Sequence, residues 1–219
     1  MSPVAKQARG EETRQRLIEA AFALVHERGY RGTSLDEILK RAGVTKGGLY
    51  HHFTDKHDLV MTAFEQQVRA FLEDHWFAYL RRPGDPLDNV QASIRTYIDN
   101  TDMNTLRLGC PINNLIQEMA ASDEPMRLML KGLLDEWRVE IKNALTRGLA
   151  EGYIAPGLDI DGMAALMVST HQGVMGTMKA ALTFEHAEMN YRGFVTFANS
   201  MRTNPRLGDL AQDNAGEHA

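Results

Sequence analysis

Apolar positions along this chain recur with a helical period. From Thr13 to Arg28 they fall at Leu17, Ile18, Ala21, Phe22 and Val25, one face of a repeat of about 3.6 residues. Gly29 stands where a helix C-cap belongs. Ser34 precedes Leu35-Asp36-Glu37, with Glu37 at the capping-box position. A second helix is therefore predicted over residues 35–41, with Leu35, Ile38 and Leu39 inward and Ala42-Gly43 at its end. Thr45 can cap a third, very short helix reaching Phe53, and Thr54-Asp55 can cap a long one over residues 56–80. Pro83-Gly84-Asp85-Pro86 is a breaker. Beyond it the pattern predicts helices over residues 87–100, 111–121, 125–151, 160–184 and 187–202, with Pro156-Gly157 separating the two longest. No stretch alternates with period two for long enough to make a strand. The expectation is an all-α protein of about nine helices, with a polar, disordered tail over residues 204–219.

Composition narrows the class. Hydrophobic residues at 43% and charged residues at 24% of 219 match globular proteins with real cores. Unbroken apolar runs span only a few residues, so no transmembrane helix is predicted. Residues 1–10 are polar and lack the apolar stretch of a signal peptide. Cys110 is the single cysteine, so no intrachain disulfide forms, which fits a reducing cytoplasm. The net charge of −5 hides an asymmetry. Residues 1–57 carry ten Lys/Arg against seven Asp/Glu, and the rest carries fourteen against twenty-two. A small basic head on an acidic body hints at a polyanion-binding module.

The informative segment runs from Thr33 to Lys56. Two short helices joined by a turn at Gly43, preceded by a supporting helix, describe a helix-turn-helix. The third helix is odd as a packing element, because only Leu49 and Phe53 face inward. Its remaining surface is Thr45, Lys46, Gly47, Gly48, Tyr50, His51 and His52. Two glycines in so short a helix cost roughly 1 kcal/mol each relative to alanine. Close approach of the backbone to another molecule would explain that cost, and Lys46, Tyr50 and His51 would supply donors to phosphates or base edges. The residues alone equally allow a loop with exposed histidines.

The string Gly43-Val44-Thr45-Lys46-Gly47-Gly48-Leu49-Tyr50-His51-His52-Phe53-Thr54-Asp55-Lys56, with Ala20-Ala21, Arg28-Gly29-Tyr30 and Thr33-Ser34 upstream, resembles the TetR/AcrR family of bacterial transcriptional regulators. The likeness spans about residues 11–60. It implies a homodimer with a three-helix DNA-binding head (residues 1–57) and a larger ligand-binding and dimerisation body (residues 58–203), most often a repressor of a near-palindromic operator released by a small molecule. It places Lys46, Gly47, Gly48, Tyr50 and His51 on the recognition helix. Thr33, Ser34, Thr45, Tyr50, His52 and Lys56 match positions that touch phosphates. Leu39 departs from the family's usual alanine. Lys6, Arg9, Arg14 and Arg16 form a basic arm that adds electrostatic grip or, equally, is a disordered basic tail.

In the body, two glycines three apart at Gly173 and Gly176 allow close helix approach, and the resemblance makes that helix part of a dimer bundle. Ten of the twelve methionines lie between Met103 and Met201. Met103, Met119, Met126, Met129, Met163, Met167 and Met175, with Trp137, Asn114 and His171, are candidates to line a site for an apolar or amphipathic effector, and equally to fill a core. Cys110 precedes Pro111, which puts the thiol at a helix N-cap where thiolate is favoured. An electrophile- or redox-responsive regulator is thus a second reading, and an activator a third. No phosphate-binding glycine loop, HExxH or cysteine cluster is present, so no enzyme, no cofactor and no metal is expected.

Overall fold

The computed structural model describes residues 3–181 and 183–204, with side chains from residue 7 onward. The predicted tail over residues 204–219 lies outside the described residues from 205 on. Among the described residues helices dominate, and the only extended pairing is an isolated antiparallel bridge between Ile154 and Arg202. Two compact units form. One holds the residues up to Phe71 together with Cys110–Leu133, and the other holds Leu72–Gly109 and the chain from Leu134 onward.

In the first unit α1 spans Pro3–Arg28, α2 Leu35–Ala42, α3 Lys46–Tyr50 and α4 Lys56–Leu72. The sequence pattern started α1 at Thr13. The helix instead begins ten residues earlier, because residues 3–12 are mostly strong helix formers whose sequence shows no apolar period. Thr13 does not cap; its hydroxyl donates to the Arg9 carbonyl one turn back, at 2.8 Å. The α2 capping box forms as its spacing predicts: Glu37 N–H donates to Ser34 Oγ at 3.2 Å, and Ser34 N–H donates to Glu37 Oε2 at 2.9 Å. Those bonds hold the Glu37 carboxyl below its ordinary pKa. Gly43, at φ 64°, ψ 36°, ends α2 in the left-handed region that glycine enters without strain. Thr45 then caps α3, accepting from Gly48 N–H at 3.2 Å. Asp55 accepts from Asp58 N–H at 2.9 Å at the start of α4. Leu17, Ile18, Ala21, Val25, Ile38, Leu39, Leu49, Phe53, Leu59 and Phe64 are buried between these helices. The unit is completed by α8 (Pro111–Met119) and the first part of α9 (Glu124–Ala150).

In the second unit the helix continuing from α4 passes through a π-helical turn, Glu73–Phe77, and ends as α5 (Ala78–Leu80). Asp85 caps α6 (Pro86–Asn100), with Pro86 in its first turn. A short helix the pattern did not anticipate, α7 (Met103–Leu108), is nucleated by Asp102, which accepts from Asn104 and Thr105 N–H at 2.7 and 2.9 Å. The expected break near residue 184 falls earlier: Thr183 accepts from His186 N–H at 3.2 Å and so opens α11 (Phe184–Asn199), leaving α10 as Ile160–Ala181. Buried Arg202 bonds to buried Asp85, to Asn199 at 2.8 Å and, at its outer edge, to the exposed Asp88 at 2.5 Å. α6 packs on α5, the π turn and α11, while α10 packs on α7 and α11.

Candidate nucleic-acid interface and effector core

α3 is held by two anchors. Leu49 and Phe53 are 0% and 4% exposed, and they turn the opposite face outward. That face carries Thr45, Lys46, Gly47, Tyr50 and His51, all exposed; Tyr50 is 53% exposed despite its aromatic ring. Gly48 and His52 are half-buried, and a Cβ at Gly10 on α1 would lie 3.8 Å from the His52 ring. The two glycines differ in cause. A Cβ at Gly48 would meet Val44 Cγ1 at 2.9 Å, so any larger residue there must displace the Val44 side chain. A Cβ at Gly47 meets nothing within 4 Å. Intramolecular packing therefore does not demand glycine at position 47. Arg14 lies over the Phe53 ring at 5.5 Å, Arg9 and Arg16 are exposed, and the Lys6 side chain lies outside the described residues.

Three residues matched to phosphate contacts sit differently from one another. Ser34 is exposed beside its cap. Thr33 is buried at 1% exposure, its hydroxyl directed to the Gly29 carbonyl at 2.8 Å and the Leu24 carbonyl at 3.2 Å, so its work is to close the turn. Lys56 is half-buried; its Nζ donates to the Tyr30 carbonyl at 2.6 Å and lies 3.9 Å over the Tyr30 ring. Burial lowers its pKa from the ordinary lysine value.

Sequence reasoning missed what fixes that turn. Glu118, near the end of α8, accepts from Tyr30 N–H and Arg31 N–H, each at 2.7 Å. A Cβ at Gly29, at φ 81°, would come within 2.6 Å of that carboxylate. Alongside it, His57 Nε2 meets Asp123 at 3.0 Å, and Arg31 donates to Ser122 at 2.9 Å. The Asp123 carboxyl is held below its ordinary pKa by the Met126 N–H and by His57. The only sequence signal was an acidic residue on the helix after Cys110.

The candidate effector residues divide between the units. Cys110, Asn114, Met119, Met126 and Met129 lie in the first; Met103, Trp137, Met163, Met167, His171 and Met175 lie in the second. Cys110 is the N-cap of α8, as its proline neighbour predicts, and it is 6% exposed. Met119, Met126, Met167 and Met175 are buried; Met103, Asn114, Met129 and Met163 are half-buried. The second unit brings Trp137 and His171 together with Trp76, which the sequence reading did not single out. The three rings pack edge-to-face, with centroids at 4.6, 4.8 and 5.2 Å. His171 as a whole keeps some exposure, but its ring is enclosed by the two indoles, and burial pushes its pKa down to about 4. Among the described residues, no group of three or more His, Cys, Asp or Glu gathers as a metal site.

Residues 17–62 match the family described as bacterial regulatory proteins, tetR family, and residues 86–194 match the tetracyclin repressor-like C-terminal domain. The transcriptional regulator AcuR of Cereibacter sphaeroides is 31% identical over 150 residues, 68% of each chain. The chain belongs to the TetR family. As TetR-family members are, it is a DNA-binding transcriptional regulator, with an all-α helix-turn-helix head and a helical body. The transcriptional repressor DhaR of a Mycobacterium species (strain GP1) is 28% identical over 173 residues, 76% of this chain and 82% of its own. The crystal structure of regulatory protein TetR from Rhodobacter sphaeroides is 29% identical, with a TM-score of 0.74 over 83% of this chain and 96% of that one. TetR-family regulators bind operator DNA as dimers. No helix among the described residues is long and apolar enough to cross a membrane.

Proposed function

We propose that this TetR-family chain is a cytoplasmic homodimeric repressor with no catalytic activity, whose affinity for a near-palindromic operator falls when a small apolar or amphipathic effector binds its body. In this reading residues 1–57 form the DNA-binding domain and residues 58–203 the effector and dimer domain. The carrying observation is the outward face of α3, where a half-exposed tyrosine, a lysine and a glycine that packing does not require share one surface. Two such helices, one per protomer, enter successive major grooves with half-site centres about 34–36 Å apart. Lys46, Tyr50 and His51 meet base edges and phosphates, and Ser34, Thr45 and His52 flank them on the backbone side. Thr33 and Lys56 serve by holding the turn that presents Ser34.

The dimer reading is supported by α10 and α11. They leave Leu166, Phe184 and Met189 exposed at 46%, 47% and 51%, and the space beside Gly173 and Gly193 is open. Exposed apolar residues and open glycines on the same helices suit helices that meet a second copy closely. Cys110 is buried in this state, and reactive thiols need exposure, so release by effector binding is preferred to thiol modification.

Tyr50→Ala tests the reading. It should weaken binding to the operator at least about tenfold while the variant still sediments as a dimer. Unchanged affinity would remove α3 from the interface.

A further inference from the structure

The core of the second unit carries three features that bear on ligand binding. The helix continuing from α4 accommodates a π-helical turn at Glu73–Phe77, an irregularity concentrated at functional sites, and this turn delivers Trp76 and Phe77 inward at 5% and 7% exposure. Trp137 is 1% exposed, and its indole Nε1–H is buried without an acceptor, although buried donors are otherwise nearly always matched. Along α10, Met163, Met167, His171 and Met175 recur every fourth residue, forming one stripe.

We propose that Trp76, Trp137 and His171 are the heart of the effector site, and that the effector is an uncharged molecule with a flat conjugated body and a hydrogen-bond acceptor taken by Trp137 Nε1–H. The proposal rests on the reading of the chain as an effector-released regulator and adds the chemistry of that effector. Flatness follows from rings that offer one another edges and faces within 4.6–5.2 Å, an environment suited to another π-system. The acceptor follows from the unmatched N–H. Charge is disfavoured because the residues named for the site, two indoles, an imidazole and thioethers, carry no charge to pair with it. The stripe is thioether and imidazole, and burial keeps that imidazole neutral, so an ion would lose its hydration uncompensated. Methionine side chains at Met163, Met167 and Met175 supply a deformable, polarizable wall that admits the body of the ligand.

The chain has two tryptophans, both in this cluster, so the ¹⁵N-labelled full-length protein shows two indole N–H resonances, which Trp137→Phe assigns. Three probes of one shape separate the chemistry: acetophenone carries the acceptor, α-methylstyrene replaces the carbonyl oxygen by CH2, and benzoate adds charge. Calorimetry should show acetophenone binding about tenfold tighter than either of the others, with the Trp137 indole proton moving downfield on saturation. In Trp137→Phe, its fold checked by circular dichroism, acetophenone and α-methylstyrene should bind alike. Equal affinity of these two for the unaltered protein would overturn the proposal, as would tighter binding of benzoate. So would saturation that leaves both indole resonances in place, or no binding of any probe at millimolar concentration. Operator anisotropy separates the underlying reading. If acetophenone shifts Trp137 as expected yet leaves operator affinity unchanged, the ligand site stands and release by an effector falls.

Discussion

At the scale of single residues, the two adjacent glycines of α3 separate folding from binding. Alanine at Gly48 places Cβ 2.9 Å from Val44 Cγ1, so Gly48→Ala should lower thermal stability and operator affinity together. Alanine at Gly47 meets open space and removes backbone freedom from the unfolded chain. Gly47→Ala should be neutral or stabilise by up to about 1 kcal/mol while operator affinity drops several-fold. A Gly47→Ala protein that binds operator normally would show that no partner approaches there. His171 makes a second residue-scale prediction. Its folded pKa of about 4 lies below the ordinary 6.5, so the unfolded chain takes up the proton first. Stability is then undiminished by this group above pH 6.5, declines as pH falls towards 4 and declines no further below that. Denaturant unfolding of the native protein and of His171→Phe should diverge across that window, by a few kcal/mol at most. Parallel curves would mean the imidazole is not buried neutral.

Among elements, α8 has the most informative placement, because one end carries the Cys110 cap and the other the Glu118 carboxylate on the α1–α2 turn. Glu118→Ala leaves two backbone N–H groups without their acceptor. It should cost about 1–3 kcal/mol of stability and weaken operator binding through Ser34; a variant as stable as the parent would show that water replaces the carboxylate freely. This clamp was not legible in the sequence, since its partners are 88 and 87 residues apart and no local pattern joins them. The capping box of α2, the left-handed Gly43 and the anchors Leu49 and Phe53 were legible, because each is decided within a few residues of chain. α7 escaped notice for the opposite reason: six residues are too few to show a period, and only Asp102 marks its start. Trp76 was not singled out, and the π turn at Glu73–Phe77 would in any case shift the register by which a helical period assigns inward positions.

For the whole molecule, the net charge is acidic while residues 1–57 are basic, and in the proposed complex it is that basic segment that faces DNA. Family membership establishes a DNA-binding regulator, and we propose the outward face of α3 as the contact. Sequence-specific binding should therefore coexist with a strong electrostatic component. The most direct test is fluorescence anisotropy of the full-length protein at several salt concentrations. It would compare a site selected from a randomised operator library with random DNA of equal length. Preference for the selected site by a factor of about a thousand or more, with log affinity falling linearly in log salt and the preference reduced about tenfold or more in Tyr50→Ala, is the result expected. Equal affinity for selected and random DNA, or a preference untouched by Tyr50→Ala, would contradict the assignment of α3 as the element that reads the operator.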